Sequence, residues 1–370
     1  MSNLTFIILC LEGAVLSFNV AAAAALVPSI AKEFVLSQFL VGKIVWFYML
    51  PYGVSALFYG PLVRAFDAKK VELFCLFLFS CANILAALAQ NISVLFTARV
   101  LMGVFGASVI PLGLILIGEH IEPKKHGEYV GLFFGATFVA SLLGLLLSGL
   151  IHWRLIFLLP GIAGLILMLV MCFGLPSFKQ DATGFRVNYG RALKNKKVLI
   201  VFIYIFMVSL FYHGVQQWLA VYFSKNLALT QFYISVLIML TSLSGVFGEV
   251  VGGKLSDSLG RVRTINTGVI LMAVSVSLLM LQSPLLILAL WMILWGVGWT
   301  FNHAGLSTLL TDLPKEYLNE AASLNSSVRF ISGGLGVALG GLVMQQSFVL
   351  GFTVFGVGLI SLLFLSKTLK

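Results

Sequence analysis

The sequence predicts an all-α membrane protein of twelve transmembrane helices, arranged as two pseudo-symmetric six-helix bundles. Three observations predict it. First, 60% of the 370 residues are hydrophobic and only 10% are charged, against about 45–50% and 25% in a soluble domain. A core cannot absorb that excess, so the rest must face lipid. Second, the apolar residues fall in runs near the roughly 20 residues that a bilayer crossing needs. Third, the chain repeats itself. Gly60-Pro61-Leu62 corresponds to Gly253-Lys254-Leu255 at an offset of 193, and Glu128, Gly144 and Gly149 correspond to Glu320, Gly336 and Gly341 at 192. Parallel halves of six spans are a recurrent transporter design, with the substrate site near the bilayer midplane where the repeats meet.

The first bundle is predicted over residues 1–176, with spans at 4–29, 37–63, 70–89, 92–118, 127–151 and 155–175. The N-terminal run has no basic region before it and is too long for a signal peptide, so it reads as a retained first span. Residues 177–197 form a polar linker in which six of 21 residues are basic; it reads as a cytoplasmic segment resting on anionic headgroups. The second bundle, 198–370, carries spans at 198–222, 230–252, 264–282, 285–311, 318–344 and 347–366. With a cytoplasmic N-terminus, 17 Lys and Arg residues fall in cytoplasmic segments and 4 on the other side. The positive-inside rule therefore predicts both termini in the cytoplasm. The same count explains the net charge of +10 without a nucleic-acid partner.

The polar run Gly253-Lys254-Leu255-Ser256-Asp257-Ser258-Leu259-Gly260-Arg261-Val262-Arg263 resembles the G-x-L-x-D-R-x-G-R-[RK] loop of the major facilitator superfamily. Ser258 stands where that pattern has Arg. Other stretches extend the resemblance over essentially the whole chain. Ala25-Leu26-Val27-Pro28-Ser29-Ile30 is similar to the A-L-x-P-x-I of drug:proton antiporters, and Arg99 to Ala107 to R-x-x-x-G-x-x-G-A. Trp153-Arg154 with Phe157 matches W-R-x-x-F, and Ser323-Leu324-Asn325 with Phe330 is similar to the S-L-N-x-x-x-x-F of twelve-span efflux members. The resemblance implies a monomer in a bacterial cytoplasmic (inner) membrane that works by alternating access. There are three departures. The first-half loop copy, after Gly60, has Arg64 where the family has Asp and Asp67 where it has Gly. Asn19 replaces a first-span acid, and Gly144-Leu145 replaces a Gly-Pro.

Ionisable residues within spans are costly, about 2.5–3.5 kcal/mol each at a helix centre, and usually face a cavity or a partner. Glu12 reads as a proton-coupling acid, or as an acid paired with a base or close to the interface. His213, with Gln216 and Gln217 a turn later, reads as a proton relay or substrate hydrogen bond, or as a satisfied helix-helix contact; histidine titrates nearest neutral pH. Arg99 reads as a partner for an acid or anionic substrate group, or as a structural link. Arg329 shares a helix face with Asn325 and reads as structural or gating. Glu249 reads as part of the loop-motif charge cluster with Lys254 or Arg261. Trp291, Trp295, Trp299, Asn302 and His303 share one arc of their helix. They read as an aromatic cavity wall suited to a flat or cationic amphiphile, or as a packing stripe. Gly103, Gly106, Gly131, Gly135, Gly336 and Gly340 read as close-packing sites.

Cys10, Cys75, Cys81 and Cys172 lie in apolar runs without metal-ligand spacing. No nucleophile-base pair, metal set or phosphate-cradling loop stands out. The expectation is therefore no enzyme, no cofactor and no metal. The leading function is export of a small amphiphilic organic solute by proton antiport. The alternatives are uptake or facilitated flux of a polar metabolite, or a transporter-like receptor.

Overall fold

The computed structural model describes residues 3–122, 125–175, 189–281, 283–314 and 318–369, with the side chains at 63–65, 118–120, 126–127, 318–320 and 322–323 left aside. The chain divides into two compact units, Met1–Arg186 and Val187–Lys370. The described residues are helical, without strands. Most of the predicted linker, 177–188, lies outside them.

Unit 1 runs α1 (Asn3–Ser17), α2 (Ala22–Ala25), α3 (Val27–Phe34), α4 (Gln38–Val41), α5 (Lys43–Ala65), α6 (Ala68–Ala87), α7 (Ile92–Gly106), α8 (Val109–His120), α9 (His126–Ser148) and α10 (Trp153–Gly174). Unit 2 runs α11 (Tyr189–Lys194), α12 (Lys196–Gln216), α13 (Leu219–Lys225), α14 (Gln231–Ser258), α15 (Arg261–Leu278), α16 (Leu285–Thr311), α17 (Leu318–Met344) and α18 (Phe348–Leu365). Among the described residues, eleven stretches are long and apolar enough to cross a membrane. The twelfth predicted span is α15, whose first turn carries Arg261 and Arg263 and so dilutes its apolar run. Large apolar side chains such as Phe173, Phe247, Leu286 and Leu342 stand exposed on the helices. A bilayer makes that arrangement stable.

Helix starts follow from local chemistry. Asp67, Asn91 and Asn195 cap α6, α7 and α12 by accepting from the backbone N–H groups of Lys69, Val94 and Lys197. Such caps satisfy donors that a helix end otherwise leaves unmade. Four predicted spans are interrupted. The first breaks at residues 18–21 and again at Leu26, the second at Gly42, the fourth at Ala107-Ser108, and the seventh at Gln217-Trp218. Leu26 and Trp218 are related by the 192-residue offset.

The repeat is also written into the packing of each unit. In unit 1, α1 packs on α9, α5 on α7 and α6 on α10; in unit 2, α12 packs on α17, α14 on α16 and α15 on α18. Gly144 lies so close to the Phe18 carbonyl that a methyl group would collide with it, and Gly336 meets the Leu210 carbonyl in the same way. Gly103 lies against the Tyr48 carbonyl, as Gly296 does against that of Thr241. These pairs repeat at offsets of 192 and 193. Gly131 and Gly135 correct the packing expectation: a side chain there would meet nothing within 4 Å.

Candidate functional site

In unit 1, α1 delivers Glu12 and α6 delivers Glu72 to a fully buried meeting point. The two carboxyl groups share a hydrogen bond. Ser108 Oγ lies 3.2 Å from Glu72 Oε1, and Cys75 Sγ lies 3.5 Å from the Tyr59 hydroxyl, which donates to the Val104 carbonyl at 2.8 Å. Among the described residues neither carboxylate forms an ion pair, and one oxygen of each has no hydrogen-bond partner. Of the readings open for Glu12, pairing with a base is corrected: its partner is a second acid. Two carboxyls in contact resist joint ionisation and share a proton. Glu72 is missed by the sequence reading. A signal existed, because Glu72, Cys75, Phe79, Ser80 and Asn83 fall on one face of α6 at spacings of three and four.

Asn19 lies in the break after α1 and donates to Asn83 Oδ1 at 2.5 Å, while Asn83 donates to the Phe79 carbonyl. Arg99 is buried, with Nε donating to the Ile44 carbonyl at 3.0 Å and its guanidinium over the Tyr48 ring at 4.4 Å. Those contacts are a structural link, with no acid in ion-pair reach among the described residues. At the far end of α3, Glu33 gathers Trp153 Nε1, Arg154 Nε at 3.1 Å, Arg154 Nη2 at 2.8 Å and His152 Nε2 at 3.1 Å. Arg154 Nη1 also donates to the carbonyls of Ala87 and Ala89. Partial burial pushes the Glu33 carboxyl up. The bonds from Trp153 and Arg154, and the nearby positive charge, outweigh it and hold the carboxyl below its ordinary range.

In unit 2, α12 and α16 assemble an aromatic stack. Tyr212 lies flat against Trp299 at a centroid distance of 3.9 Å and against Trp295 at 5.1 Å. Trp295 and Trp299 are one turn apart on α16, so both meet the same ring. Trp295 Nε1 donates to Gln216 Oε1 at 2.6 Å, and Gln216 Nε2 lies 3.4 Å from Thr241 Oγ1. His213 meets Trp299 edge-on and places Nδ1 2.8 Å from the Ser209 carbonyl. Arg329 of α17 reaches over Trp299 at 5.9 Å, with Nε held by Asn325 Oδ1 at 2.8 Å. Among the described residues, its Nη1 and Nη2 are buried without a hydrogen-bond partner. Three predicted residues stand apart from the stack. Asn302 donates to the Ile265 carbonyl and so serves the contact of α16 with α15. Gln217 is the C-cap of α12. Trp291 accepts at its carbonyl from Ser275.

The loop motif is shorter than its polar run suggests. The α14 helix continues to Ser258, leaving Leu259 and Gly260 before α15. Gly260 has φ 92°, a conformation that glycine adopts freely. Arg261 Nη1 bonds Asp257 Oδ1 at 2.8 Å and the Ser256 carbonyl, while Nε bonds Asp312 Oδ2 at 3.1 Å. The bonds to Asp312 first, then Asp257, raise the Arg261 guanidinium above its ordinary value. Asp312 is a second residue the sequence reading missed. Glu249 is a correction: it lies 2.6 Å from His303 Nδ1, not on Lys254 or Arg261. Gly248 and Gly252 bring α14 against Thr300 and Phe301 of α16, so Glu249 faces α16. Gly60 and Gly253 have open space beside them. Asp67 caps α6, and the Arg64 side chain lies outside the described residues.

The sequence pattern of the Major Facilitator Superfamily matches residues 9–337. The chain belongs to the major facilitator superfamily. It is an integral, multi-pass membrane transporter of small molecules, not an enzyme. It is 24% identical over 347 residues to an uncharacterized MFS-type transporter of Bacillus subtilis, covering 89% of this chain and 87% of that one. It is 23% identical over 352 residues to a probable sugar efflux transporter of Helicobacter pylori, covering 92% and 89%. Among solved structures, a D-xylose-proton symporter superposes with a TM-score of 0.78 at 16% identity, over 99% of this chain and 97% of that one. At that identity the likeness shows the fold: twelve helices in two six-helix bundles.

Proposed function

We propose that this transporter exports a small amphiphilic organic solute in exchange for protons, by alternating access, with both termini in the cytoplasm of a bacterial cell. The observation that carries the proton half is the buried Glu12–Glu72 pair. A carboxyl pair that shares a proton inside a membrane bundle is costly to keep, and it suits a group that must load and release protons. The solute half rests on the Trp295–Tyr212–Trp299 stack, a flat apolar platform edged by polar groups, as small-molecule sites commonly are. The efflux label of the Helicobacter pylori relative supports the direction.

The test uses proteoliposomes with an imposed pH gradient and an interior pH dye. A panel of aromatic solutes and sugars is added singly. A transported solute discharges the gradient only when protein is present. Glu12→Gln and Glu72→Gln each keep a hydrogen-bonding amide, so the fold survives while solute-dependent discharge is lost. Discharge at the unaltered rate in both variants would refute the assignment of proton coupling to this pair.

A further inference from the structure

Taking the aromatic stack of unit 2 as the solute platform, we propose that the transported solute is an anion, a planar organic acid whose carboxylate is held by Arg329. The inference rests on that reading of the stack. Arg329 is more than nine-tenths buried, yet among the described residues Nη1 and Nη2 have no hydrogen-bond partner. A buried charged donor left unmade is among the most expensive features a protein can carry. It persists where something repays it at the moment of use.

The geometry selects the kind of ligand. Asn325 holds Nε, which fixes the side chain and leaves the two terminal nitrogens as a free fork. A guanidinium fork matches a carboxylate with two parallel bonds. The guanidinium stands 5.9 Å over the Trp299 ring, so a carboxylate taken by the fork places its attached ring beside Trp299 and Tyr212. The same position disfavours the cationic amphiphile expected from sequence. Arg329 already occupies the cation's place on that aromatic face, and a second cation would be repelled.

The other titratable groups nearby fit this assignment. Glu249 on α14 is the acid whose field reaches Arg329, but its carboxylate sits 2.6 Å from His303 Nδ1 on α16. Among the described residues no carboxylate lies within ion-pair distance of the fork. His213 on α12 is engaged by the Ser209 carbonyl.

The test titrates purified full-length protein in nanodiscs with three ligands sharing one ring: benzoate, benzamide and benzylamine. Binding is read as tryptophan fluorescence quenching and as thermal stabilisation, and Trp299→Phe assigns the quenching. Benzoate is expected to bind about 10–100-fold more tightly than benzamide, the worth of charge-assisted bonds, with benzylamine weakest. Arg329→Gln should erase the preference for benzoate over benzamide, and Arg329→Lys should restore part of it. The proposal is overturned if benzamide or benzylamine equals benzoate, if none of the three binds, or if Arg329→Gln keeps the preference. The charge series on the unaltered protein decides the matter even where a variant fails to fold. Binding is measured without a proton gradient, so it is read apart from the Glu12–Glu72 assignment. Anion binding without proton-driven flux would sink the proton assignment alone, and proton-driven flux of a neutral solute would sink this one alone.

Discussion

Glu33→Gln tests whether the clamp at the end of α3 ties that helix to α6 and α10. The substitution keeps an oxygen acceptor and removes the charge. Glu33 collects four donor atoms from His152, Trp153 and Arg154. Hydrogen bonds to a charged group contribute about 1.5–3 kcal/mol and neutral ones about 0.5–1.5. The Glu33 side chain is 33% exposed, so solvent screening reduces the difference. The expected loss is about 1–2 kcal/mol in all, or roughly 2–8 °C in Tm for a unit of this size. A thiol-reactive dye reads it, because buried Cys75 becomes accessible on unfolding. The sign of the pH dependence follows from the depressed carboxyl. Its ordinary value is 4.5 and its folded value is lower. The unfolded chain therefore binds more protons in that window, and stability rises with pH through it. The contribution is present above pH 4.5 and is lost as pH falls through the folded value. Glu33→Gln should thus lie below the parent at neutral pH and converge with it in acid. Equal Tm values at neutral pH, or a gap unchanged in acid, would refute the clamp.

Two further outcomes follow from the packing and the loop. Gly144→Ala drives a methyl group into the Phe18 carbonyl, which cannot rotate away, and should destabilise by about 1–3 kcal/mol; Gly131→Ala, with open space beside it, should be neutral or stabilising by up to about 1 kcal/mol. Comparative thermal unfolding of the two variants checks both. Arg261→Lys cannot span Asp257 and Asp312 with one fork, and should lose about 1 kcal/mol or less at this half-exposed site. A double-mutant cycle with Asp312→Asn should return a coupling of that size.

The fold was legible because hydropathy and the repeat act over whole helices, and each span carries many copies of the same signal. The site was legible only in part. Glu12, Arg99 and Arg329 announce themselves as charges in apolar runs, but their partners do not. Glu72 sits two residues after Lys70, and only the approach of α1 to α6 brings it, buried, against Glu12. Tyr212 looks like one more aromatic among many, and only the approach of α12 to α16 puts it against two tryptophans. Glu249 was drawn to the wrong partner because sequence proximity to Lys254 and Arg261 outweighed the glycine face that turns it toward His303. Contacts across helices depend on rotation about each axis, which a single sequence constrains weakly.

The repeat itself separates packing from chemistry. The glycine–carbonyl approaches Gly144–Phe18 and Gly336–Leu210 recur at one offset, and Gly103–Tyr48 and Gly296–Thr241 at the other. Backbone geometry is therefore common to the halves. The charges are not. At the matching offsets Glu12 corresponds to Tyr204, Glu72 to Ile265, Arg329 to Thr137 and Trp299 to Gly106. Each intramembrane charge carries its cost of about 2.5–3.5 kcal/mol in one half only. The scaffold is built twice and these groups once: a buried pair of acids in unit 1 and, among the described residues, a guanidinium over stacked rings with two unpartnered nitrogens in unit 2.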